Sequence, residues 1–78
     1  MPDYASAVAA IIKEVRQLSE LDPDAPLLDR GIIDSLDIMI VTSRIEEDLG
    51  ITLDVEAITA ENFESVNSLA TLLSRLAG

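Results

Sequence analysis

Apolar and polar positions in this chain alternate in three blocks of helical period, separated by two stretches that break the period. In the first block Tyr4, Val8, Ile11, Ile12, Val15 and Leu18 recur at intervals of three and four. That spacing predicts an amphipathic helix from about Asp3 to Leu18, uninterrupted by Gly or Pro, with Asp3 as its N-cap. In the second block Ile38, Val41, Ile45 and Leu49 share one face of a helix expected from about Ser35 to Leu49. Asp34 is a good N-cap for it, Asp37 places an acid in the first turn, and Gly50 supplies the stop. In the third, Val66, Leu69, Ala70, Leu73 and Leu76 form a stripe that predicts a helix from about Val66 to Leu76. Ser65 is its candidate N-cap, with Asn67 and Ser68 as later alternatives.

The stretches between the blocks are not solvated linkers. Ser19 to Ile33 contains Pro23, Pro26 and Gly31, which forbid one continuous helix. It also carries Leu21, Leu27, Leu28, Ile32 and Ile33, so we expect an ordered loop whose apolar side chains pack on the helices. Ile51-Thr52-Leu53 has strand-like composition, but nothing else in the chain offers a partner strand, and an extended segment anchored by Ile51 and Leu53 is expected. Asp54 to Phe63 has room for one short helical piece, with Ile58 and Phe63 as core residues. The architecture predicted is all-α: a small four-helix bundle of three main helices and one short one, with a long first loop. With 78 residues, positions 1–78 are expected to form a single domain.

The second helix carries a feature that a core stripe does not explain. Leu36, Met39 and Ile40 fall with Ser43 and Glu47 on the side roughly opposite the core stripe. Surface helices ordinarily keep that side polar. Either the loop from Leu21 to Ile33 folds over it, an outcome as open as exposure for Ile40, or these side chains form a contact face for partners.

Composition then removes whole classes of chemistry. The chain has no Cys and no His, which excludes a disulfide framework, a thiolate site and a Ser-His-Asp arrangement. The acids Asp22 and Asp24 invite a calcium-loop reading, but the glycine position of such a loop would be Leu27 and its closing glutamate Ile33, so no metal site is expected. A formal net charge of −10 disfavours nucleic acid. It suits docking on basic surfaces, or it is simply a solubilising coat. The longest apolar run, Ala7 to Ile12, is too short to span a bilayer, and Met1-Pro2-Asp3 opens no signal peptide; a cytoplasmic protein is expected. Asp34 and Asp37 could do acid–base work in principle, but capping explains them better, and no enzyme is expected.

Ser35 is the remaining candidate for chemistry. At a helix start its hydroxyl lies near free backbone N–H groups, which together with the helix dipole favour a phosphate ester. Asp34-Ser35-Leu36 resembles the modification site of the phosphopantetheine carrier proteins. The long first loop, the acidic run Glu46-Glu47-Asp48-Leu49-Gly50 and the small acidic domain extend the resemblance over nearly the whole chain. It implies an acyl-carrier-protein-like bundle with phosphopantetheine, taken from coenzyme A by a phosphopantetheinyl transferase, attached to Ser35 and flanked by Asp34. The arm's thiol would carry an acyl or aminoacyl group as a thioester, loaded by a ligase and passed to a downstream transferase or synthase. Leu36, Asp37, Met39, Ile40 and Glu47 would face partners, and a monomer is implied. In fatty-acid carriers the position of Ile40 is usually acidic and the glycine stands three residues before the serine, whereas Gly31 stands four before Ser35. Glu61-Asn62-Phe63-Glu64-Ser65-Val66 resembles a segment of D-alanyl carriers and of discrete carriers of secondary metabolism. A specialised stand-alone carrier is therefore the resemblance's implication. The alternative reading is an unmodified helical interaction module that uses Leu36, Met39 and Ile40 for a partner helix.

Overall fold

The computed structural model describes residues 3–77; Met1, Pro2 and Gly78 lie outside them. Helix α1 spans Tyr4–Arg16, α2 Ser35–Leu49 and α3 Val66–Ala77, and a single 3-10 turn, Val55–Ala57, is the short helical piece. Helix α1 lies against both other helices. Its Val8, Ile11 and Ile12 meet Val41 and Ile45 of α2, Val66, Leu69, Leu72 and Leu73 of α3, and Phe63 in one continuous core.

The helix ends follow from local chemistry. Asp3 caps α1, its carboxylate accepting from the backbone N–H and the hydroxyl of Ser6. Ser65 caps α3 by accepting from the Ser68 N–H at 3.1 Å. At the far end of α1 the chain turns earlier than the apolar period suggests. Gln17 adopts a left-handed conformation, φ 56°, and the Leu18 N–H closes the helix on the Lys13 carbonyl at 2.8 Å. Leu18 is thereby carried off the stripe and is exposed rather than core. A second correction falls on α3: Leu72 is buried, while Leu76, assigned to the stripe, lies in a last turn that projects beyond the core and is 47% exposed.

The first loop is ordered, as its leucines imply. Leu27 and Ile33 are fully buried, and Leu21, Leu28 and Ile32 pack on the core's edge. Backbone hydrogen bonds fasten it to the segment leading into α3: the Leu27 N–H donates to Glu64 O at 2.7 Å and the Asn67 N–H to Pro23 O at 3.1 Å. The Asn67 side chain adds a bond to Asp24, and the Asp22 carboxylate accepts from the Asp24 N–H. Gly31, at φ 67°, makes the turn that sends the chain from this loop into α2, a conformation that L side chains rarely adopt. Beyond α2, Leu53 is buried and its N–H donates to a Glu46 carboxylate oxygen at 2.8 Å, anchoring the extended segment.

Candidate functional site

Helix α2 begins at Ser35 with a reciprocal pair of hydrogen bonds. The Asp37 N–H donates to Asp34 Oδ1 at 2.9 Å, and the Asp34 N–H donates to Asp37 Oδ2 at 3.0 Å. This capping box, formed by two aspartates, fixes the backbone on both sides of Ser35. The amides of Ser35 and Leu36, in the first turn, have no intrahelical acceptor. Ser35 is exposed, and among the described residues its hydroxyl takes part in no hydrogen bond. The Asp34 carboxyl is held below the usual carboxylate range, chiefly by the Asp37 N–H it accepts, with a smaller contribution from the positive charge of Arg16. The residue flanking Ser35 is thus an anion at neutral pH.

The exposed side of α2 continues from this point. Leu36 and Met39 are each 68% exposed and Ile40 is 42% exposed, so the first loop does not cover them. Ser43 and Glu47 are exposed further along the same side. Asp37 does not join this face: it is buried, with Oδ2 on the Asp34 N–H and 3.3 Å from the Arg16 guanidinium. Arg16 carries no sequence signal of this contact. A cation in the last turn of a helix is explained by the dipole alone, and nothing in the pattern announces a partner in the first turn of the next helix.

The residues present fit a phosphate-linked prosthetic group. A free, exposed hydroxyl stands at a rigid helix N-terminus whose open amides favour a phosphoester's charge. When attached, phosphopantetheine supplies a terminal thiol for thioester chemistry, which a chain without Cys cannot supply itself. A small helical bundle offering one such hydroxyl beside an uncovered apolar face has the construction of a carrier rather than a catalyst.

Residues 6–73 match the family described as phosphopantetheine attachment site (PP-binding), so the chain belongs to that family of carrier domains. Its members bear covalently attached phosphopantetheine, installed by a phosphopantetheinyl transferase, and work with synthase partners without being catalysts themselves. The chain is 42% identical over 74 residues to norsolorinic acid synthase stcA of Emericella nidulans. The match covers 92% of this chain but only 3% of that synthase. A chain in the crystal structure of an FAD-dependent dehydrogenase superposes with a TM-score of 0.76 at 31% identity, over 86% of this chain and 99% of that one. Among the described residues no helix is long and apolar enough to cross a membrane.

Proposed function

We propose that this chain is a single carrier domain whose phosphopantetheine arm is attached at Ser35, and that it presents an acyl or aminoacyl thioester to partner enzymes. The observation that carries the reading is the exposed, unbonded Ser35 hydroxyl at the capped start of α2, within a chain of the phosphopantetheine attachment family. Asp34 flanks the site as cap and anion. Leu36, Met39 and Ile40, with Glu47 two turns below, form the partner face, since three large apolar side chains left in water beside the attachment point serve nothing in the core. Similarity to a polyketide-type synthase, norsolorinic acid synthase, supports an acyl cargo of secondary metabolism. Similarity to a chain found with an FAD-dependent dehydrogenase supports a redox enzyme among the partners.

Intact-mass spectrometry after incubation with coenzyme A and a promiscuous phosphopantetheinyl transferase tests the attachment. The native chain should gain one phosphopantetheine, and Ser35→Ala should gain none while keeping its helical circular-dichroism spectrum. Modification of Ser35→Ala would refute the assignment. The holo form, offered a panel of acyl and aminoacyl donors with their ligases, then reports the cargo class.

A further inference from the structure

The capping box around Ser35 does not stand alone. Arg16, the last residue of α1, places its guanidinium 3.3 Å from Asp37 Oδ2, the same oxygen that accepts the Asp34 N–H at 3.0 Å. Asp37 is almost wholly withdrawn from solvent there, while Arg16 keeps part of its side chain in water. The Asp37 carboxylate is held there by one backbone amide, that of Asp34, and one cation, Arg16. Without the cation, a buried charge is left under-compensated and is driven to turn outward into water. Turning outward releases the Asp34 N–H, and with it one of the two bonds that fix the backbone next to Ser35.

We infer that Arg16 is a positioning residue for the modification of Ser35: acting through Asp37, it locks the capping box and so fixes the direction in which the Ser35 hydroxyl is offered. This rests on the attachment reading above. In that step a bond forms between Ser35 Oγ and the phosphorus that bears pantetheine, and the pyrophosphate P–O bond of coenzyme A breaks. The hydroxyl proton passes to a base of the transferase, and adenosine bisphosphate leaves. A serine whose backbone wanders at the moment of attack lowers the rate of that step without weakening the docking of the carrier.

A second ion pair between the same two helices provides the control. Arg44 of α2 bridges Glu14 of α1 and Asp48, each at 3.2 Å, nine residues further along α2 than Ser35 and outside the capping box. The test measures phosphopantetheine transfer at 25 °C, with kcat and KM for the apo chain, for the native protein, Arg16→Met, Arg16→Lys, Asp37→Asn, Arg16→Met/Asp37→Asn and Arg44→Met, alongside thermal melts. Arg16→Met, which keeps the apolar stem, should lower kcat about three- to tenfold with KM unchanged, the size of a partly buried charge contact at a helix end. Arg16→Lys should stay within about twofold of native. The double variant should be no slower than Asp37→Asn, because the two residues act in series. Arg44→Met should transfer at the native rate. A native kcat in Arg16→Met, an equal loss in Arg44→Met, or multiplying effects in the double variant would each overturn the positioning role. A native chain that accepts no phosphopantetheine would instead overturn the attachment reading itself.

Discussion

Replacing Thr42 by Val should make this protein more stable, although it removes a group from the interior. Thr42 lies on α2 and is only 8% exposed, and its Oγ1 is buried without a hydrogen-bond partner. A threonine in mid-helix commonly turns its hydroxyl to the carbonyl four residues back; here that bond is not made. An unsatisfied buried hydroxyl costs about 1–3 kcal/mol. Val keeps the branched shape, has nearly the same helix propensity as Thr, and puts a methyl where the hydroxyl finds no partner. Allowing for imperfect fit of the new methyl, a net gain of about 1 kcal/mol is expected. In a domain of this size that corresponds to a rise in Tm of about 4–8 °C.

The assay is urea unfolding followed by circular dichroism, with Thr42→Ser alongside. Thr42→Val should raise the midpoint at unchanged slope, whereas Thr42→Ser keeps the hydroxyl, loses a buried methyl and should fall by about 1 kcal/mol. If Thr42→Val were no more stable than native, the hydroxyl would have a partner, and the argument from its isolation would fail. Thr42 is seven residues after Ser35, two turns down the same side of α2 and about 10 Å along its axis, so the gain should leave the capping box at Ser35 unchanged.

Two further outcomes concern the helix end and the charge. Gln17 holds a left-handed conformation at the end of α1; Gln17→Gly removes that strain and should raise stability by about 0.5–1 kcal/mol, read as a Tm increase of a few degrees. The pH profile should show a maximum on the acid side of neutrality. From pH 7 down toward the sequence pI of about 4.1, loss of negative charge relieves the repulsion of a chain with net charge −10, and Tm should rise, as it should with added salt at pH 7. Below that the sign reverses. Asp34 and Asp3 have folded pKa values lowered from 3.8, by the Asp37 N–H and by Ser6 respectively, so the stability they contribute is present above 3.8 and is lost as pH falls through their folded values. A melting temperature that fell steadily from pH 7 to pH 4.5 would refute the balance described.

Helix α2 was legible in the sequence to the residue because both of its ends are written locally. Asp34 and Asp37 stand at the two positions of a capping box, and Gly50, at φ 68°, takes the left-handed stop. The end of α1 was not, because Gln17 stands where a glycine would have signalled it, and the apolar period runs on to Leu18 without a break. The choice between Leu72 and Leu76 was similarly undetermined. Both lie three residues after a stripe position, and only the extent of the neighbouring core decides which is covered. For the site, the placement of Ser35 and the exposure of Leu36 and Met39 follow from one helix and its period. The inward turn of Asp37 follows from Arg16, a contact between residues brought together only by tertiary packing, which no local pattern encodes.

The exposed face of α2 and the charge of the chain are two parts of one arrangement. Leu36, Met39 and Ile40 in water would ordinarily invite copies of the chain to stick to one another through this side. Ten excess negative charges oppose that, because two copies brought face to face repel. On the proposed function, an enzyme surface with an apolar centre and a basic rim would meet the opposite balance: the centre would take the three apolar side chains, and the rim would meet Glu47 and the acids around it. The core has no part in this selection. It keeps the start of α2 rigid through the capping box, Gly31 and the buried loop residues Leu27 and Ile33. Rigidity at the serine and selectivity on the face beside it are therefore set by different residues. Substitutions at Leu36 or Met39 should change which partners receive the cargo while leaving the presentation of Ser35 intact.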